Sequence, residues 1–145
     1  MSDFSTARQK MVDGQVHTSD VTDTRILDAL LTIPREIFVP ESKRALAYLD
    51  LDLDVSENGT TERYLVRPVV LAKMLQAAEI KATDRVLVVG CATGYAAAVV
   101  SRSAGEVSAT ESDPVLAQKA AASARRDRLW KCQYPHRAAA RGRGG

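Results

Sequence analysis

Val86-Leu-Val-Val-Gly-Cys-Ala-Thr-Gly-Tyr95 is the stretch of this 145-residue chain that decides its fold. Arg85–Val89, which includes the first half of this stretch, is a short apolar run rich in β-branched residues, which is typical of a strand buried on both faces. Gly90 ends that strand, and Gly94 opens an alanine-rich segment that predicts a helix. Glycine suits the connecting loop because it lacks a Cβ and tolerates positive φ.

The elements that follow complete a βαβ unit. Glu106-Val-Ser-Ala-Thr110 predicts a second strand, and Asp113-Pro114 predicts a helix start, with aspartate as the cap and proline in the first turn. Upstream, Pro68 opens a further helix that reaches about Ala78. We therefore expect an α/β fold with a parallel sheet.

The carboxylate at the end of the second strand points to a nucleotide cofactor. Glu111 follows Gly90 by 21 positions (111 − 90), close to the spacing of about 20 at which an acid meets ribose hydroxyls. Ala92 stands where a dinucleotide fingerprint has its middle glycine. Two glycines four apart fit S-adenosylmethionine better than NAD, because that cofactor has no pyrophosphate to cradle. The alternative is a βαβ loop that holds no ligand.

The segment before Pro68 has a different character. Thr22-Asp-Thr-Arg25 offers capping residues for a helix that Pro34 ends. The apolar residues of that helix recur at helical spacing, namely Ile26, Leu27, Leu30 and Leu31. Leu49-Asp-Leu-Asp-Leu-Asp-Val55 alternates, which predicts an edge strand with three solvated aspartates, and a metal site is the alternative.

These residues together resemble the protein-L-isoaspartate O-methyltransferases, in particular a divergent bacterial branch. Met11-Val-Asp-Gly-Gln-Val16 is similar to the family's N-terminal helix, and Asp28–Pro40 is similar to its segment ending in Pro-Arg-x-x-Phe-Val-Pro. Asp84–Tyr95 matches its cofactor loop. The resemblance covers about residues 9–121. It implies an N-terminal helical segment followed by an incomplete Rossmann-like sheet of the class I methyltransferase type.

The resemblance also implies an activity and a set of site residues. Such an enzyme transfers a methyl group from S-adenosylmethionine to the carboxylate of an isoaspartyl residue, as a step of protein repair. Glu111 is expected to bind the ribose, and Ser112 is expected beside the adenine. The residues expected along the methionine side are Gly90, Cys91, Ala92, Thr93, Gly94 and Tyr95. Isoaspartyl-containing proteins or peptides are the expected substrates.

The chain departs from the family at Tyr64-Leu-Val-Arg-Pro68. Val66 occupies the position of the family's serine, whose hydroxyl lies near the substrate, and valine cannot donate a hydrogen bond. We therefore assign no catalytic residue. Arg67 is either a carboxylate-binding residue or a surface arginine. Val88 replaces an acidic residue common in this strand.

The sequence after about residue 122 loses its apolar period and becomes rich in arginine. A basic arm for nucleic acid and a disordered tail are two interpretations. A third is a shifted reading frame. Codons for Trp130–His136, read from their second base, can encode Gly-Asn-Val-Asn-Ile-Arg-Thr, which suits a turn and a strand of this fold. We hypothesise a frameshift near 120–125 that truncates the fold, leaves an apolar sheet edge exposed and impairs catalysis.

Three regions follow from these patterns: residues 1–67 as a helical, substrate-side segment, 68–124 as a partial cofactor-binding unit, and 125–145 as an anomalous tail.

The net charge of +2 gives no support for nucleic acid as a partner. Two cysteines without ligand spacing indicate free thiols in a reducing compartment and predict no metal site. The N-terminus lacks a signal peptide and no apolar run is long enough for a bilayer, so we expect a cytoplasmic protein. The oligomeric state stays open. The alternatives to the enzyme are a non-catalytic remnant that binds cofactor or a partner, and a methyltransferase with another carboxylate substrate.

Overall fold

The computed structural model describes residues 3–133. The α-helices are α1 (Asp3–Met11), α2 (Thr24–Thr32), α3 (Pro68–Ala78), α4 (Tyr95–Val100) and α5 (Pro114–Asp127). The strands are β1 (Leu53–Asp54), β2 (Tyr64–Leu65), β3 (Arg85–Val89), β4 (Glu106–Thr110) and β5 (Lys131–Gln133). A π-helical turn covers Val12–Val16, and 3-10 helices cover His17–Ser19, Arg35–Phe38 and Glu41–Leu46.

The central sheet is parallel, as the sequence predicts. Its order is β3-β4-β5, with Val88 paired to Ala109 and Ala109 paired to Cys132. The crossover from β3 to β4 runs through α4, and the crossover from β4 to β5 runs through α5. An α/β fold with an N-terminal helical segment is therefore confirmed.

The two faces of this sheet differ in burial. On one face, which we call the covered face, Val107 and Ala109 are buried beneath the helices. On the other, which we call the open face, Leu87 is 60% exposed and Val89 is 76% exposed. The expectation that this strand is buried on both faces is wrong for the described residues. Its sequence is apolar on both sides, but residues 3–133 supply a cover for one side only.

Side-chain caps set the helix starts that the sequence predicts. Asp23 accepts a hydrogen bond from the Arg25 amide at 2.9 Å and begins α2. Asp113 accepts bonds from the amides of Val115 and Leu116 and begins α5. These carboxylates satisfy amides that have no partner within the helix.

The alternating stretch 49–55 forms much less strand than expected. Only Leu53–Asp54 is a strand, and it pairs antiparallel with Tyr64–Leu65. Leu53 and Val55 are buried, whereas Leu49 is exposed. The first half has no neighbouring strand among the described residues, so alternation alone could not extend the pairing.

The predicted loss of structure after residue 124 is wrong as far as residue 133. The helix α5 continues through Arg125 and Arg126 to Asp127, and β5 follows. Arginine is a good helix former and its charge suits the last turn of a helix. Trp130 is buried, which anchors the approach to β5. Residues 134–145 lie outside the described part of the chain, and the frameshift hypothesis stays a prediction.

The N-terminal segment and the sheet share one buried core. Val16, Leu30 and Phe38 belong to the same apolar cluster as Val99 and Val107, and α2 packs on α4. Within residues 3–133, no helix combines the length and the apolar character needed to cross a membrane.

Candidate cofactor-binding site

The glycine loop lies between the end of β3 and the start of α4. Gly90, Ala92 and Gly94 all have positive φ, at 68°, 54° and 104°. The Cys91 amide donates to the Thr110 carbonyl at 2.9 Å, which fastens the loop to the end of β4. Gly90 is exposed, and a Cβ added to it would meet nothing within 4 Å. The loop backbone is therefore open to a ligand at Gly90.

Gly94 is required by packing as well as by its φ. A Cβ at this position would lie 2.4 Å from the indole ring of Trp130. Trp130 is buried, and its indole N–H donates to Asp127 at 3.0 Å. Trp130 is thus a packing residue beneath the loop, and not an exposed aromatic of a nucleic-acid arm.

Glu111 is fully buried directly after β4. Its Oε1 accepts from the Ala92 amide at 2.8 Å and from Arg63 Nε at 3.1 Å. Its Oε2 accepts from the Asp113 amide at 2.9 Å and from Arg63 Nη2 at 3.0 Å. The structure therefore brings the predicted acid and the predicted loop into direct contact.

The residues after Glu111 connect the site to the loop that precedes β2. Ser112 is exposed, and its hydroxyl accepts from Arg63 at 3.1 Å. Asp113 accepts from the Thr61 amide at 2.6 Å. That amide is the main cause of the lowered pKa of the Asp113 carboxyl.

Thr93 and Tyr95 direct their side chains into the N-terminal segment. The Thr93 hydroxyl donates to the Phe38 carbonyl at 2.6 Å. The Tyr95 ring meets Phe38 edge-on at 5.5 Å and lies under the Arg35 guanidinium at 4.8 Å. Burial raises the pKa of Tyr95 and lowers that of Arg35. These two loop residues are buried and hold the glycine loop against the N-terminal segment.

Val66 and Arg67 follow β2. The Val66 carbonyl accepts from Arg35 at 3.3 Å, which puts its backbone near Tyr95. Arg67 lies 3.8 Å from both Asp50 and Asp52. Arg67 is therefore a partly exposed partner of the aspartates in the alternating stretch, and the third of these, Asp54, accepts from the Ser56 amide.

Cys91 and Cys132 meet although 41 positions separate them, with their sulfur atoms 4.0 Å apart. The bond to Cys132 and burial raise the pKa of the Cys91 thiol. The same bond lowers the pKa of the Cys132 thiol. The contact belongs to the covered face, directly below the glycine loop.

A cleft of about 810 Å³ lies beside this site. Its walls come from the 3-10 helix Glu41–Leu46, residues 56–58 and the outer side of α5. Its cations are already bonded within the chain, as Lys119 is to Glu57 and Lys43 is to the Asp54 carbonyl. The cleft touches Thr93 and lacks Gly90 and Glu111, so it adjoins the predicted cofactor site at one residue and does not include its exposed glycine or its acid.

Sequence reasoning missed Arg63 and the thiol pair. Arg63 and Glu111 are 48 positions apart, and their contact depends on how the β1–β2 hairpin folds over α5. The only local signal was a basic residue in a polar loop beside the family's substrate-side segment.

Three comparisons relate this geometry to known proteins. The family model described as protein-L-isoaspartate(D-aspartate) O-methyltransferase matches residues 6–138. A protein-L-isoaspartate O-methyltransferase of Roseiflexus sp. (strain RS-1) is 41% identical over 120 residues, which cover 83% of this chain and 53% of the relative. A second, from Rhodopseudomonas palustris (strain HaA2), is 39% identical over 83% of this chain and 47% of its own length. The chain thus spans about half the length of these curated relatives.

Solved structures agree on the fold. A protein-L-isoaspartate O-methyltransferase superposes with a TM-score of 0.76 at 26% identity, over 88% of this chain and 41% of its own. The structure of a putative protein-L-isoaspartate O-methyltransferase from Plasmodium falciparum, in complex with S-adenosyl-L-homocysteine, has a TM-score of 0.66 at 14% identity, over 92% of this chain and 63% of its own. The latter likeness supports the fold alone.

Proposed function

Because this chain belongs to the protein-L-isoaspartate(D-aspartate) O-methyltransferase family, we propose that it binds S-adenosylmethionine and serves methylation of isoaspartyl carboxylates in protein repair. One observation carries the proposal. The Ala92 amide donates to Glu111, so the glycine loop and the acid meet at the carboxyl ends of β3 and β4. Ligands of open α/β sheets bind at these strand ends.

The residues present fit such a cofactor. Gly90 leaves its backbone accessible, which suits close approach of a cofactor where the loop begins, whereas residues 91–95 are buried. Glu111 offers the carboxylate that ribose hydroxyls need as an acceptor. Ser112 is exposed next to it and is our candidate neighbour of the adenine.

A bound S-adenosylmethionine would supply a sulfonium methyl group for transfer to the substrate carboxylate and would leave as the thioether S-adenosylhomocysteine. This transfer needs alignment above all. The chain contributes by fixing the loop against β4 through the Cys91 amide and against the N-terminal segment through the Thr93 hydroxyl. Both contacts limit movement of the loop backbone at the proposed cofactor site.

The substrates we propose are isoaspartyl-containing proteins or peptides, and the proposed location is the cytoplasm. Thiols as close as those of Cys91 and Cys132 stay reduced there. Val66 supplies no hydroxyl to the substrate, so alignment of the carboxylate falls to groups other than this side chain. No catalytic residue is assigned.

Two observations favour a second candidate, in which these residues bind cofactor without efficient catalysis on isoaspartate. The open face of β3 carries Leu87 and Val89 without a cover among the described residues, and Val66 lacks the hydroxyl. A different carboxylate substrate also fits the change at Val66. We therefore expect weak or absent methyl transfer by this chain alone.

Cofactor binding is tested by titration calorimetry with S-adenosylhomocysteine. Gly90→Ala should weaken binding, because a methyl group would block the loop backbone. Gly59→Ala is the matched control, since Gly59 also has positive φ (84°) and open space at its Cβ but lies outside the loop. Equal binding by both variants would show that the glycine loop is not part of the cofactor site.

Activity is tested by methyl transfer from labelled S-adenosylmethionine to an isoaspartyl peptide, with the normal aspartyl peptide as the control. Selective labelling of the isoaspartyl peptide at the rate of a full-length relative would overturn the expectation of weak catalysis. Binding without labelling supports the second candidate.

A further inference from the structure

The Glu111 carboxylate has no free acceptor site. Two oxygens offer about four lone-pair positions, and four N–H groups reach them at 2.8–3.1 Å. Ribose hydroxyls that bind this carboxylate must therefore replace a donor that is already there.

Three residues supply these four donors, and among them only Arg63, which supplies two, is free to leave. The amides of Ala92 and Asp113 belong to the loop and to the start of α5, and both are buried. Arg63 reaches the carboxylate from the β1–β2 hairpin with a side chain that is 25% exposed. A rotamer change moves its guanidinium into solvent and leaves the backbone hydrogen bonds of the hairpin unbroken.

The hairpin itself is held in place. The Arg63 amide donates to Ser56 at 2.7 Å, and its carbonyl accepts from the Val55 amide at 2.9 Å. The Thr61 amide is bonded to Asp113. The movable part is therefore the Arg63 side chain and not the hairpin.

We propose that the Arg63 guanidinium occupies the ribose subsite on Glu111 and sets the affinity of this chain for its cofactor, which binds only when Arg63 swings out. The inference rests on the proposed cofactor site. Two parallel charge-assisted bonds hold Arg63 in the closed position. A site that is open for only a fraction of the time binds with an affinity reduced by that fraction.

The test measures S-adenosylhomocysteine binding by calorimetry to the unchanged chain, Arg63→Gln, Arg63→Lys and Arg85→Gln. Arg63→Gln should bind about ten-fold tighter, since the competing cation is gone. Arg63→Lys keeps the charge but cannot form two parallel bonds, so its affinity should lie between. Arg85→Gln makes the same charge change on a side chain that is 83% exposed at the other end of β3 and should leave affinity unchanged.

A second comparison shows whether the effect passes through Glu111. In a Glu111→Gln background, Arg63→Gln should no longer tighten binding. If Arg63→Gln does not fold by circular dichroism, tighter binding by Arg63→Lys still supports the inference, and unchanged binding overturns it.

The two possible failures give different results. Equal binding by the unchanged chain and both Arg63 variants overturns the role of Arg63 and leaves the cofactor site standing. Absence of binding in every protein up to millimolar ligand overturns the cofactor site, and the inference with it.

Discussion

The covered face and the open face of the β3–β4–β5 sheet are made from the same strands but have opposite surroundings. On the covered face and at the carboxyl ends, Val107 is buried and Glu111 has a donor at every acceptor site. On the open face, Leu87 and Val89 have no cover among the described residues. The strand sequence thus reflects a sheet buried on both sides, whereas residues 3–133 bury one.

The largest difference between the faces should come from placing a carboxylate on each. Val107→Asp puts an unpaired charge in the core and should cost about 4 kcal/mol or more, enough to unfold a marginal domain. Leu87→Asp points into solvent and should change the free energy of unfolding by less than about 0.5 kcal/mol. Urea denaturation followed by circular dichroism measures both. Equal losses would show that the open face is covered in solution.

Removing an acid at either end of β4 should give a smaller difference in the free energy of unfolding. Glu111→Ala leaves the buried amides of Ala92 and Asp113 without an acceptor, at a cost of about 3 kcal/mol. Glu106→Ala removes an exposed acid at the start of the same strand, where its nearest cation, Arg85, lies 3.8 Å away in solvent. That control should cost under about 0.5 kcal/mol. A Glu111→Ala protein as stable as the control would contradict the saturated carboxylate.

How much of the fold and of the candidate site the sequence predicts depends on how many positions separate the interacting residues along the chain. Arg85–Val89, Glu106–Thr110 and the Asp113 cap follow from neighbours within a few positions, and the structure has all three as predicted. The location of the candidate cofactor site also follows from the sequence, because the carboxyl ends of parallel strands lie at the same edge of the sheet.

The errors arise where the decisive partner is distant in sequence or absent. The alternation at 49–55 indicates strand, but pairing requires β2, which reaches only Leu53–Asp54. The Arg-rich run from Arg125 has no apolar period, yet burial of Trp130 against Gly94 brings β5 beside β4. Arg63 on Glu111 is likewise a tertiary contact without a local pattern.

The open face should also bind hydrophobic probes more than the covered face does. Leu87→Lys should reduce fluorescence of an anilinonaphthalene dye and self-association in light scattering, because an exposed apolar surface promotes both. Leu129→Lys alters a residue that is 48% exposed in the turn before Trp130, off the open face, and serves as the control. A larger decrease from the control would mean that the open face is not the dye site.

The smallest effect concerns two thiols of the covered face. The bond between them lowers the pKa of Cys132 and raises that of Cys91, which burial raises further. The thiolate is the reactive form, so iodoacetamide at pH 8 should label the half-buried Cys132 several-fold faster than Cys91 in a mass-spectrometric time course. Cys91→Ala removes the donor that stabilises the Cys132 thiolate, and the labelling profile of Cys132 should move to higher pH. Faster labelling of Cys91 would instead mean that the glycine loop moves and lets the reagent reach this buried thiol. The carboxyl end of the covered face would then be more accessible than the four donors on Glu111 indicate.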